Sequence, residues 1–166
     1  MISIDLQRRL RERRHASALK ECLQILGSVG IDASAEDALP LLEVDRIWSR
    51  YLEELRARSL EALHYPGGEA VALNEHLRAL AERLGDERVA WLALADSEPV
   101  GVDVPAHKML QSAMAFFVTK AGDLMLSTRD ARSGICVESN HLGHGDEYEL
   151  VEWGAFASAA PPGASP

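Results

Sequence analysis

Residues 114–153 read MAFFVTKAGDLMLSTRDARSGICVESNHLGHGDEYELVEW, and the fold class turns on the period of this stretch. Apolar and polar residues alternate along it, the pattern of half-buried strands. The alternation predicts strands at 114–119, 123–129, 134–139 and 146–153. Lys120-Ala121-Gly122 joins the first two, with Gly where a positive φ is wanted. Residues 130–133 and 140–145 supply the other connections. Setting Thr119 opposite Asp123 carries one register through all three turns: Phe116 with Leu126, Leu126 with Val137, Thr128 with Ile135, Val137 with Tyr148, and Ile135 with Leu150. These residues share one side of the sheet. The other side then carries Phe117, Met125, Glu138 and Glu147 in one row. Ala115, Ser127, Cys136 and Glu149 form the next, with Val151 and Trp153 beyond.

Upstream the period lengthens to that of helices. The first is expected over 5–26, where Arg11 to Ser17 interrupt the apolar stripe. Ser34 and Asp37 have the spacing of a cap that opens a short turn before Pro40. The strongest stripe, Val44, Ile47, Trp48, Tyr51, Leu52, Leu55 and Leu63, predicts a helix over 41–63. His64-Tyr65-Pro66-Gly67-Gly68 reads as its stop. A third helix is expected over 69–84, closed by Gly85. Residues 89–95 read as a buried strand, 100–107 as a loop between Pro99 and Pro105, and 108–112 as a helical turn. The result is an α+β fold, with N-terminal helices packed on one face of a C-terminal antiparallel β-meander. One domain is expected over 1–157, helical across 5–85 and mainly β across 89–154. Residues 158–166 read as a disordered tail with too little to bury.

The composition fits one ordinary core: 166 residues, 47% hydrophobic and 26% charged. The opening MISIDLQRRLRERR places arginines where a secretion signal would carry its apolar core, so that export route is not expected. No apolar run approaches the roughly 20 residues that span a bilayer. Cys22 and Cys136 lie far apart in apolar segments and read as reduced, as in a cytoplasm. The net charge of −9 is unevenly spread. Residues 1–20 carry six basic and two acidic side chains, residues 121–166 two basic and seven acidic. An acidic C-terminal half opposes a nucleic-acid groove there and suits a basic protein partner. Arg8, Arg9, Arg11, Arg13 and Arg14 distribute around their helix, as intramolecular pairing or plain solvation would have them.

Glu138 and Glu147 fall opposite each other in this register, an arrangement that destabilises a sheet. With Glu149 they make a candidate partner surface, bordered by Phe117, Met125 and Trp153 as apolar anchors. The plain alternative is a solvated face neutralised by an arginine from elsewhere. His141, His144 and Asp146, with Glu147 beside them, have metal-ligand chemistry and would serve a metal-dependent enzyme or metal-sensing domain. No second, separated pair of ligands accompanies them. Cys136 lies between glutamates, which disfavour a thiolate. No nucleophile elbow or phosphate loop is present. No cofactor is implied. His76 reads as a core or boundary histidine. A homo-oligomer through the Trp48/Tyr51 stripe is a third reading.

The acidic last strand, Asp146-Glu147-Tyr148-Glu149-Leu150-Val151-Glu152-Trp153-Gly154, comes without any catalytic constellation. In this layout, over about residues 113–154, the chain resembles the immunity proteins of bacterial toxin–immunity systems. The resemblance implies a small acidic cytoplasmic protein that binds a toxin domain and inhibits it.

Overall fold

The computed structural model describes residues 4–119, 122–142 and 145–158, with backbone alone at 141, 142 and 145. Helix α1 spans Ile4–Ser28, α2 Leu41–Arg58 and α3 Ala70–Leu84, with the short strand β1, Leu63–Tyr65, between the last two. Strands β2 (Arg88–Ala95) and β3 (Glu98–Pro105) form a hairpin, followed by α4 (Ala106–Gln111) and α5 (Ala113–Val118). Strands β4 (Leu124–Ser127), β5 (Gly134–Leu142) and β6 (Gly145–Trp153) complete the fold. Among the described residues, six strands form one antiparallel sheet in the order β1-β6-β5-β4-β2-β3. The class is α+β as expected, with N-terminal helices and a C-terminal sheet. No helix among the described residues is long and apolar enough to cross a membrane.

Both faces of the sheet are covered. Ala18, Cys22 and Leu26 of α1 pack with α3, α4 and α5 on Trp91, Val102, Leu126, Val137 and Leu150. Helix α2 takes the opposite face, where Val44, Ile47 and Tyr51 meet Leu92, Cys136, Val151 and Trp153. The Tyr51 hydroxyl donates to the Ile135 carbonyl at 2.8 Å inside this second core. Tyr51 of the Trp48/Tyr51 stripe is thus spent on the sheet and fully buried, with Trp48 half-buried beside it.

Three elements differ from the sequence reading. The helix expected to reach Leu63 ends at Arg58, because the stripe runs out at Leu55 and Leu60 faces solvent. His64 and Tyr65, read as a stop, pair instead with Glu149 and Tyr148 of β6. The loop expected at 100–107 is β3: Val100, Val102 and Val104 point into the core, and both prolines are tolerated because β3 is an edge strand. Its outer side is partly covered by a bridge from Ala38 to Val102. The turn into β3 has Asp96 and Ser97 at φ 50° and 64°, the primed-turn geometry that Gly or Asn would have advertised.

The strand expected at 114–119 is helix α5. A strand would send Phe116 and Phe117 to opposite faces, whereas one helical turn buries both. Phe116 meets Trp91 edge-on at 5.7 Å, and Phe117 meets Tyr148 at 5.3 Å. The remaining strands keep their expected faces but shift in register by two. Val137 lies opposite Leu124 and Leu150, and Glu138 opposite Glu149 rather than Glu147. Each shift comes from its own turn. The β4–β5 ladder stops at Ser127 and Gly134, so six residues connect these strands instead of four. The β5–β6 ladder continues to Leu142 and Gly145, which leaves two residues between its ends instead of six.

Candidate partner-binding surface

Helix α2 crosses its face of the sheet and divides what remains into two flanks with opposite electrostatic character. On one flank Asp37, Glu43 and Asp103 each have a cation. Arg88 bridges Asp103 at 2.8 Å and Asp37 at 3.1 Å, and Arg129 reaches Glu43 at 3.1 Å and Asp103 at 3.6 Å. On the other flank a row crosses the strands as Asp123, Glu138, Glu149 and His64. Glu147 stands one step farther along β6, opposite Asn140. Among the described residues no Lys or Arg pairs with any of these four carboxylates. Glu149 has only the His64 ring, at 4.0 Å.

The strip follows from local sequence. Strand alternation sends Met125, Cys136 and Val151 under α2, and two residues on along each strand the same face carries Asp123, Glu138 and Glu149. Glu138 and Glu149 are exposed, and Glu147 is half-buried. Partial burial pushes the Glu138 carboxyl above its ordinary value, and the neighbouring charges of Asp123 and Glu149 add to the shift. Leu94, on the same face of β2, is 57% exposed and supplies the strip with an aliphatic end.

The expected anchors are placed differently. Phe117 is buried on the other side of the sheet, in α5. Trp153 is buried beneath α2, stacked against Tyr51 at 5.1 Å, and its Nε1–H donates to the Ala131 carbonyl. Met125 is half-buried in the same cluster. Phe117 and Trp153 are thereby withdrawn from the surface, whereas Met125 keeps part of its side chain exposed. The side chains of His141 and His144 lie outside the described residues, and Asp146 is exposed. Among the described residues no three His, Cys, Asp or Glu side chains are grouped to hold a metal ion.

Two side-chain clusters escaped sequence reasoning. Arg11 binds Asp45 through two bonds of 2.7 and 3.0 Å and Glu98 through one of 2.9 Å, joining α1 to α2 and β3. His76 Nε2 lies 2.9 Å from Glu152, whose other oxygen accepts the Ser158 N–H at 2.6 Å. Ser158, expected to open the disordered tail, is instead held by Glu152; residues 159–166 lie outside the described residues. Ser158 Oγ approaches the same His76 nitrogen at 3.4 Å. A Ser-His-acid relay needs the acid on the opposite ring nitrogen, so this trio is a tether. The His76 and Tyr51 bonds act over more than seventy residues, and no sequence spacing announces them. Burial pushes the Cys136 thiol up to about 12, which leaves it protonated and unreactive at neutral pH.

No family model, curated protein or solved structure matches this chain.

Proposed function

We propose that the chain is a cytoplasmic protein-binding module that inhibits a basic partner, in the manner of an immunity protein. It engages through Asp123, Glu138, Glu147 and Glu149. One observation carries this: Glu138 and Glu149 lie directly opposite each other on adjacent strands with no Lys or Arg among the described residues to pair them, while Asp37, Glu43 and Asp103 on the other flank of α2 are paired. Like charges so placed weaken a sheet, and a surface kept for a partner is where such a cost is retained. Fixed negative charge speeds encounter with a positive patch and suppresses wrong partners. The two free, buried cysteines fit a reducing compartment.

The test is affinity capture with the Glu138→Lys/Glu147→Lys/Glu149→Lys variant beside the wild type, and Glu82→Lys on α3 as a charge-reversal control away from the strip. A basic partner held by wild type and control, released by high salt and lost in the triple variant, is the expected outcome. A partner held equally by the triple variant removes the strip from the reading.

A second measurement needs no partner. Glu138→Gln should stabilise the fold at neutral pH by about 0.2–1 kcal/mol, by removing one of two facing charges. The sign follows from the raised Glu138 carboxyl: the native state holds that proton more tightly than the unfolded chain. The penalty is therefore absent below the ordinary carboxylate range and complete above the folded-state value. The gain seen in thermal melts should fade as the pH falls through that range. A variant less stable than wild type at neutral pH would show that Glu138 is compensated after all.

A further inference from the structure

Helix α1 is 25 residues long, yet its buried positions begin only at Ala18. The first eleven residues of α1, about 16 Å of helix, are held to the body by Arg11 alone among the ion pairs of the described residues. This arm exposes Ile4 at 85%, together with Leu6 and Leu10. Beside it Leu42 of α2 is 82% exposed, and a groove of ≈ 380 Å³ runs between them, walled by Arg8, Pro40 and Leu41. The cations of the arm are poorly engaged. Arg8 and Arg9 meet only Asp5 and Glu12 of their own helix, in exposed pairs that contribute little. Arg13 and Arg14 have no carboxylate within 4.0 Å among the described residues. An exposed helical arm with four such arginines and an aliphatic edge is a surface without an occupant. The same chain carries its complement elsewhere: an open strip of Asp123, Glu138, Glu147 and Glu149 ending in exposed Leu94.

We infer that the arm of one copy docks on the acidic strip of a second copy. Within one chain the arm reaches only Asp45 and Glu98, so its free arginines and the strip are both left to an intermolecular contact. Arm and strip are different patches, so the contact is heterologous and adds copies head to tail as concentration rises. Three turns of helix bury less than the roughly 1,200 Å² of a stable interface, which makes the association weak, on the order of tens of micromolar or above. Exposed charges make it dependent on salt. Self-association would hold the strip until a tighter partner displaces it, although the inference stands whether or not such a partner exists.

Sedimentation velocity on the full chain tests it, at ~20 mM and ~500 mM salt, between which the Debye length falls from about 20 to about 4 Å. Arg13→Glu/Arg14→Glu reverses the arm without breaking a bond in its own chain, and Glu138→Lys/Glu149→Lys reverses the strip. Wild type should rise above the monomer mass at high concentration in low salt and return to monomer in high salt. Each double variant should stay monomeric alone, with an unchanged circular dichroism melt showing it folded. The equimolar mixture should associate at least as strongly as wild type, because each acidic patch then meets a basic one. Wild type that stays monomeric in low salt overturns the inference, as does a mixture that fails to associate. If the strip variants release a captured partner while wild type never self-associates, the partner reading survives and this one falls.

Discussion

Trp153→Ala is expected to destabilise the fold by about 3–5 kcal/mol, the range for emptying an aromatic site in a packed core. Trp153 is 2% exposed and holds three things together. Its ring packs against Tyr51 at 5.1 Å, so it carries α2 onto the sheet. Its Nε1–H satisfies the Ala131 carbonyl at 3.3 Å, in a loop where Ala131 sits at φ 57°. Its six-membered ring lies so close over Gly134, its cross-strand partner, that any Cβ there would collide with it. Gly134→Ala should therefore be destabilising as well. The two substitutions combined should cost less than their sum, because removing the indole removes the collision. Urea denaturation of the four proteins checks this. A Trp153→Ala loss below about 1 kcal/mol would mean that the indole is not packed, and would return it to the role of partner anchor.

Arg11→Ala should cost about 2–3 kcal/mol, between the values for exposed and buried ion pairs. Arg11 itself is 42% exposed, but the Glu98 side chain it serves is only 10% exposed. Two carboxylates hold the guanidinium pKa above its ordinary value, chiefly through their hydrogen bonds. Most of the loss should come from Glu98, left nearly buried without a counter-charge. Glu98→Gln added to Arg11→Ala should then recover part of the stability. Arg11→Lys should recover less than the full amount, because one ammonium cannot reproduce the fork that reaches Asp45 twice and Glu98 once. Hydrogen exchange should locate the damage, with amides of residues 4–14 losing protection and those near Cys22 keeping theirs. Full protection at 4–14 in the Arg11→Ala chain would show that something else secures the arm.

The faces of the sheet were readable because side-chain alternation has period two and survives a register slip of two. Glu138 and Glu149 therefore fell on the same side in both the expected and the observed pairing. Asp123 belonged to that side as well, since it stands two residues before Met125, a signal that the sequence already carried. The occupant of that side was not readable. Nothing in the stripe of α2 says which face of a sheet it will cover, and by covering this one it turned Trp153, an expected surface anchor, into core. Helix α5 was misread for a related reason: Phe116, Phe117 and Val118 have strand propensity, and only the packing of Trp91 and Tyr148 around them favours a turn of helix. His64 was taken as punctuation because a strand of three residues has no period to detect.

Strand β1 lies between α2 and α3 in the chain but pairs with β6, the last strand formed. Tyr51 and its acceptor Ile135 are 84 residues apart, and Arg11 and Glu98 are 87 apart. A ribosome adding about 5–20 residues per second needs on the order of ten seconds to pass from Tyr65 to Trp153. Throughout that time Val44, Ile47 and Tyr51 lack Val151 and Trp153, part of the surface they cover in the finished fold. The nascent chain thus carries an incompletely covered apolar helix until its final strand emerges, and chaperone contact should persist until then. A premature stop within β6 would not yield a shortened domain. It would disrupt the partner of β1 and take Trp153 from beneath α2 together, and leave a chain for proteolysis.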